Sequence, residues 1–491
     1  MAKNLIYDIQ DKPKFSNLLL FALQQLLAIL AATIAVPTII GIPTQIPAAI
    51  FGAGIGTLIY QLFTRFKSPV FLGSSFAFLS SLGVALAYGY MGILLGSIVA
   101  GLVYVVLAIV IRLVGTNWVA KLMPPVIIGP TVTLIGLSLA GAAMGDIVKA
   151  NSSALYATNN LAALACGLVT FFTVVLCSTQ KKYTMPRLVP FILGISTGYV
   201  VASILTAIGM IADLDYLKII SWEPLVNNFV AEDGGFRGIS AIVSYPHFSI
   251  VEGIKELATG KLAPEILKAN PKATVLTLGG ILEIVIAFLP VALVVFAEHI
   301  ADHKNLSYII DKDLIEDPGL DRTLLGDGVG SIVGTAFGVC PNTTYGESVG
   351  CVAITRNASV VTITTTAIMC MVLSFISPIM ALLQTIPSCV MGGVCLTLYG
   401  FIAVSGLKMF KGLDLNDNKN LFVVSAILIS GIGGLTIQIP YALAANGAVA
   451  KTIQITPIAT ALILGILTNL ILTKVEKSKL GKEKENTPTE E

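Results

Sequence analysis

The chain is a succession of apolar stretches, each about the length that crosses a bilayer, with almost nothing charged inside them. A spanning helix needs ~20 mostly apolar residues, and on that basis the sequence places fourteen spans. The first seven cover roughly 17–36, 46–63, 70–88, 91–111, 123–144, 159–177 and 188–211. The second seven cover roughly 276–303, 323–339, 345–356, 359–384, 388–407, 420–438 and 455–473. Only 12% of the residues are charged and 55% are hydrophobic, against about 25% charged in soluble domains. Lipid offers the backbone no hydrogen bonds, so such segments become helices wherever the chain allows it. The expected fold is an all-α polytopic membrane protein.

Basic residues set the orientation. Of the 30 Lys plus Arg, 22 fall on one side when both termini are cytoplasmic, and the short outer loops keep only Lys149 and Lys451. Both ends of a multi-pass protein of the cytoplasmic membrane are therefore expected inside. Residues 212–275 form the one long insertion, read as a cap or interfacial helix. Residues 474–491 are charged and read as a disordered cytoplasmic tail. Met1–Phe15 leads straight into a span, so no cleavable signal is expected. The basic residues are scattered in short connections, and no nucleic-acid partner is expected. The seven cysteines lack metal-ligand spacing and read as small packing residues, so no cofactor and no metal are expected.

Two spans are interrupted. The third contains Gly73-Ser74-Ser75-Phe76-Ala77-Phe78, and the tenth contains Pro341-Asn342-Thr343-Thr344-Tyr345-Gly346-Glu347-Ser348-Val349-Gly350. Each is the third span of its seven-span half. Gln25 precedes Phe76 by 51 residues, and Glu298 precedes Glu347 by 49. Pro124 to Gly129 likewise resembles Pro387 to Gly392. Seven is odd, so the second half must be inverted relative to the first. The expected layout is two inverted seven-span repeats with a binding site between two half-helices.

Carboxylates inside apolar spans are few: Glu283, Glu298, Asp302, Asp327 and Glu347. Each is costly in a membrane and points to function. Glu298 and Asp302 are four apart and share one helix face, so mutual repulsion is expected to keep a proton on the pair near neutral pH. Glu298 falls nearer the inner end of its span than the midplane unless the helix runs on into the cytoplasm. His299 and His303 point about 100° and 140° away from Glu298 on a helix. No further ligand completes a zinc set, and they read as packing or facing the cytoplasmic end. Asp327 in Gly326-Asp327-Gly328 either caps its helix or belongs to the site. Glu283 reads as interfacial. At the tenth span, glycine and threonine permit non-helical backbone, and half-helix N-termini favour an acceptor group on a ligand. Phe76 and Tyr345 offer aromatic contact to a flat ring.

Ala297-Glu298-His299-Ile300, Pro341 to Gly350, Ala353-Ile354-Thr355-Arg356 and Gly73 to Phe78 resemble the nucleobase–ascorbate transporter family, its bacterial uracil permeases above all. The likeness runs from about Leu20 to Thr473. It implies short strands in the broken third and tenth spans and a division into core and gate. By that division 1–16 is the N-terminus, and 17–144 holds core spans one to four and the start of the gate. Residues 145–275 hold gate spans six and seven plus the extracellular loop. Residues 276–384 are core spans eight to eleven, 385–473 gate spans twelve to fourteen, and 474–491 the tail. The resemblance further implies proton-coupled import of a nucleobase by an elevator-like core movement, usually in a homodimer. Residue by residue it makes Glu298 and Glu347 the base-binding acids. Gly346 and Phe76 become backbone contacts, Tyr345 a pocket wall, and Asp302 and Asp327 proton-coupling or supporting acids.

Three departures complicate the substrate. Asp302 stands where many uracil permeases have His, and Asp302 and Asp327 both resemble acids of purine transporters, whereas Glu347 resembles pyrimidine members. Ser348 replaces the family's usual Asn, and Gln24-Gln25 a more usual Gln-His. Uracil is the expected substrate. The alternatives are a xanthine or urate permease, an anion carrier of similar architecture and, remotely, an intramembrane acid-pair enzyme.

Overall fold

The structure is a computed structural model, and it describes residues 5–150, 159–182, 186–187, 189–231, 234–443 and 449–485. It is mostly helical. In chain order it contains α1 (Phe15–Ile39), α2 (Ile46–Phe63), β1 (Leu72–Ser74), α3 (Leu79–Leu86), α4 (Gly89–Val114), α5 (Pro125–Ser138) and α6 (Ala140–Asp146). There follow α7 (Leu161–Thr179), α8 (Pro190–Ile211), α9 (Ser249–Thr259), α10 (Leu278–Ile310), α11 (Leu320–Phe337), β2 (Asn342–Thr344) and α12 (Gly346–Thr355). The last elements are α13 (Val360–Leu373), α14 (Ser377–Gln384), α15 (Ser388–Lys408), α16 (Asn418–Ile432), β3 (Ile437–Leu443), β4 (Val449–Ile455) and α17 (Pro457–Glu485).

Among the described residues nine helices are long and apolar enough to cross a membrane, which makes this a multi-pass membrane protein. The five other expected spans take different forms. The third and tenth are a strand followed by a short helix, and the ninth is the 18-residue α11. The eleventh divides into α13 and α14, because Pro378 follows the first residue of α14 and disfavours helical backbone before it. The thirteenth stops at Ile432, and the chain turns into a β3–β4 hairpin that pairs Gln438 with Gln454. Ile-Gln-Ile at both 437–439 and 453–455 is the period-two signal of that hairpin. The tail departs from expectation too. Instead of losing order at Lys474, α17 continues through Glu485. Lys and Glu are good helix formers, and the Lys419 ammonium lies 2.8 Å from the Glu476 carboxylate. Residues 486–491 lie outside the described residues.

Helices pack most closely in two sets. One comprises α1, α2, α4, α10, α11 and α13; the other comprises α5, α7, α8, α15, α16 and α17. Within the first set α11 meets α2 and α4 backbone to backbone. A Cβ added to Gly52 would stand 2.3 Å from the Gly334 carbonyl, and one on Gly101 2.6 Å from the Gly328 carbonyl. Small residues give membrane helices this approach, because lipid supplies no hydrophobic drive between them.

The N-terminal strap lies across one end of this first set. Ile6 N–H donates to the Arg356 carbonyl at 2.8 Å and Ala358 N–H to that of Tyr7 at 2.9 Å. Lys312 donates to Asp8 at 2.6 Å, a hydrogen bond that holds the Asp8 carboxyl below its ordinary value of 3.8. The described residues of the 212–275 insertion are likewise folded. Its helix α9 lies on α4, and Glu256 of α9 accepts from Tyr90 N–H at 2.8 Å and Ala263 N–H at 3.2 Å.

Candidate functional site

β1 and β2 pair antiparallel, Leu72 with Thr344, Gly73 with Thr343 and Ser74 with Asn342. Ser75 N–H donates to the Pro341 carbonyl at 2.9 Å, and Tyr345 N–H to that of Phe71 at 3.1 Å, extending the ladder. The pairing lets non-helical backbone persist in apolar surroundings with its polar groups satisfied. Because the strands are antiparallel, α3 and α12 leave the ladder from its opposite ends and in opposite directions. The Asn342 side-chain amide donates to the Gly52 carbonyl at 3.0 Å, and Asn342 N–H to Ser331 Oγ at 3.0 Å, fixing the ladder to α2 and α11.

α10 runs past β2, the Phe76–Phe78 turn and α12. It is 33 residues long, ~50 Å at 1.5 Å per residue, and continues seven residues beyond 303. Glu298 therefore sits well inside the helix, which removes the difficulty of its position in the span. It is half-buried, and its Oε2 is buried without a hydrogen-bond partner among the described residues. Glu298 lies within electrostatic reach of Asp302, Glu347 and Asp327. Asp302 is buried, and its Oδ2 accepts from the Thr344 hydroxyl at 2.7 Å. Glu347, in the first turn of α12, is half-buried, and Gly346 before it is exposed. A helix's first turn leaves N–H groups without intrahelical partners, here beside an accessible glycine and three acids.

The aromatic residues are placed differently from one another. Phe76 is buried at the start of the turn before α3, its ring edge-on to Tyr399 of α15 at 5.3 Å. Tyr345 is 3% exposed. Its hydroxyl donates to the Ser74 carbonyl at 3.1 Å and its ring covers Gly73, so it holds β1 to β2. Gln25 of α1 donates to Ser348 Oγ at 2.5 Å, so two of the departures noted in the sequence touch each other.

Asp327 does not cap its helix. α11 begins at Leu320, and Asp327 lies in its interior with Oδ2 2.7 Å from His299 Nδ1. Both histidines are fully buried and hydrogen-bonded rather than facing the cytoplasmic end. His299 Nε2 meets Thr323 at 3.1 Å, and His303 Nε2 meets the Tyr60 hydroxyl at 2.7 Å. Glu283 accepts from the Tyr88 hydroxyl at 2.5 Å. Nothing in the sequence pattern marks Thr323 or Tyr60, since hydroxyl residues abound in these spans and only the helix crossings select these two.

The arrangement offers a ligand carboxylates on one side and helix amides on the other. That suits a small polar ring carrying both N–H donors and carbonyl acceptors.

Known proteins bear on what the ring is. The family model Xan_ur_permease, described as a permease family, matches residues 16–440. The uracil permease of Bacillus caldolyticus is 34% identical over 470 residues, covering 95% of this chain and 94% of that protein. The uracil permease of Bacillus subtilis (strain 168) is 34% identical, covering 97% of each. That of Escherichia coli (strain K12) is 31% identical, covering 88% of each. Among solved structures, the transmembrane domain of the cyanobacterial bicarbonate transporter BicA aligns with TM-score 0.52 at 13% identity, covering 94% of this chain and all of that one. SLC26A9 aligns with TM-score 0.57 at 12% identity, covering 94% of this chain and 66% of that one. At such identities these two speak for the fold alone, that of membrane transporters. With a family model matched across most of its length and permease relatives along nearly all of it, the chain is a transporter rather than an enzyme and belongs to the nucleobase–ascorbate transporter family.

Proposed function

We propose that this protein imports uracil across the cytoplasmic membrane together with protons. The observation that carries the reading is Glu298, an intramembrane glutamate with a buried oxygen that has no hydrogen-bond partner among the described residues, on the helix that packs against α12 and its exposed first residue Gly346. A buried polar atom without a partner is costly, and a ring N–H from uracil satisfies it. Glu347 contacts the other ring edge. Amides of Gly346 and Phe76 meet the ring carbonyls, and Tyr345 supports the wall from behind. Asp302, held by Thr344, organises Glu298 and accepts or releases the coupled proton.

In this reading the chain forms fourteen spans in two inverted repeats with both termini cytoplasmic. The set holding α1, α2, α4, α10, α11 and α13 is the moving core and the other set the gate. The core slides past the gate in an elevator-type cycle, within a homodimer. The uracil permeases among its relatives favour the pyrimidine, as does Glu347 itself.

Uptake of radiolabelled uracil into proteoliposomes, with and without an inward proton gradient, tests the proposal. Accumulation only with the gradient is expected; gradient-independent uptake removes the coupling. A second reading, a xanthine or urate permease, is favoured by Asp302 and Asp327, which resemble acids of purine transporters. Strong competition of uracil uptake by excess xanthine would decide for it.

A further inference from the structure

Hydrogen-bond donors and acceptors around His299 determine where one buried proton sits. The Thr323 hydroxyl donates to the Leu320 carbonyl at 3.1 Å. A hydroxyl has a single proton; with that proton on the Leu320 carbonyl, Thr323 accepts from His299 Nε2, 3.1 Å away, and Nε2 carries hydrogen. The 2.7 Å contact between His299 Nδ1 and Asp327 Oδ2 then needs one more proton. It resides either on the acid, donating to a neutral ring, or on the ring, donating to a carboxylate.

The surroundings favour the acid. Both side chains are fully buried. Asp327 Oδ1 has no hydrogen-bond partner among the described residues, and the Thr343 hydroxyl stands 3.5 Å from Oδ2. An ionised carboxylate seeks several donors, and leaving one oxygen dry in a low dielectric costs it more than it costs a neutral acid. Apart from Asp327, no carboxylate forms an ion pair with His299 among the described residues. The rings facing it are Tyr104 of α4, edge-on at 6.2 Å, and His303, 4.1 Å away. His303 Nδ1 itself donates to the His299 carbonyl at 2.8 Å. Glu298 and Asp302 on the same helix are acids within reach, and Glu347 acts on Glu298 from α12. No Lys or Arg pairs with His299 or Asp327 among the described residues.

We propose that His299 is a positioning residue that locks Asp327 as a permanently protonated, neutral donor, so that Asp327 takes no part in proton coupling. The pair joins α10 to α11 and fixes the rotation of α10, aiming Glu298 and Asp302 at the ladder. The mobile proton is left to Glu298, Asp302 and Glu347. This rests on the proton-coupled reading above and narrows it, since Asp327 otherwise counts among the coupling acids.

Uracil accumulation in proteoliposomes under an inward proton gradient tests it with Asp327→Asn, whose amide N–H takes the place of the acid's O–H toward Nδ1. The expected result is accumulation that still follows the gradient. Asp327→Asn protein that lets uracil equilibrate without concentrating it overturns the proposal. His299→Leu should raise KM while leaving gradient dependence intact, and His299→Gln, able to accept from Asp327 and donate to Thr323, should recover part of the loss. A wild-type protein that fails to accumulate uracil refutes the coupled-import reading instead. Nitrogen NMR of histidine-labelled wild-type protein reads the pair without transport or mutation. Nε2–H with an accepting Nδ1 on both sides of neutral pH is expected, and a doubly protonated His299 overturns the assignment.

Discussion

The Thr344 hydroxyl donates to Asp302 Oδ2 at 2.7 Å, tying the ladder's second strand to the helix that carries the central acids. Thr344→Val keeps the shape and removes the donor, leaving a buried acid short of a partner, a loss of ~1–3 kcal/mol. Melting temperature and uracil affinity should both fall, and Thr344→Ser should stay near wild type. Titration calorimetry with thermal melting checks this, and identical behaviour of the Val and Ser variants would count against the bond.

Two glycines of the site should respond in opposite ways to the same methyl group. At Gly73 a Cβ would stand 2.2 Å from the Tyr345 ring, whereas at Gly346 it meets only Asp302 Oδ1, 3.9 Å away. Gly73→Ala should therefore destabilise the fold, by ~1–3 kcal/mol for overpacking. Gly346→Ala should melt like wild type and lose uracil uptake, because its methyl occupies ligand space. Normal uptake by Gly346→Ala would place the ligand elsewhere.

Glu298→Gln should separate binding from stability. Charge-assisted hydrogen bonds contribute ~1.5–3 kcal/mol, so uracil affinity should drop by at least about tenfold. The fold itself should be as stable or more so, since one of several neighbouring acids becomes neutral. Unchanged affinity by calorimetry would sink the assignment of Glu298 as the base-binding residue.

Glu256 gives a pH signature outside the membrane. Burial raises its carboxyl above the ordinary 4.5, against the lowering effect of the Ala263 and Tyr90 N–H groups. A raised carboxyl means the folded chain holds the proton more tightly than the unfolded one, so its contribution is full in acid and declines as pH rises through the raised value. The melting-temperature difference between wild type and Glu256→Gln should be most favourable to wild type in acid and shift toward the variant approaching neutrality. A difference independent of pH would mean that Glu256 does not titrate in that range.

The sequence exposed those features whose cost in lipid is unavoidable. Glu298 and Glu347 stand out because a charge among apolar residues must have a reason, and the Gly73 and Gly346 stretches because helix cannot continue comfortably through them. Partners were hidden. His299 finds Asp327 and Thr323 at separations of 28 and 24 residues, and Asp302 finds Thr344 at 42, through helix crossings that one-dimensional patterns do not encode. Asp327 reads as a possible cap in the sequence because flanking glycines blur where a helix starts. The β3–β4 hairpin is hidden in the sequence because its first residue, Ile437, falls within an apolar run, 420–438, long enough to read as a span.

The β1–β2 ladder has a consequence for anyone reshaping this site. Its three residue pairs set the spacing between the two half-helices in main-chain units, so the frame acts as a ruler that no side chain can lengthen. Changes of specificity must then come from what is mounted on the ruler, at Gly346, Glu347 and the facing turns of α10. An insertion of one residue in either strand would instead reverse which faces its side chains occupy, turning Thr343 and Thr344 away from the acids they meet.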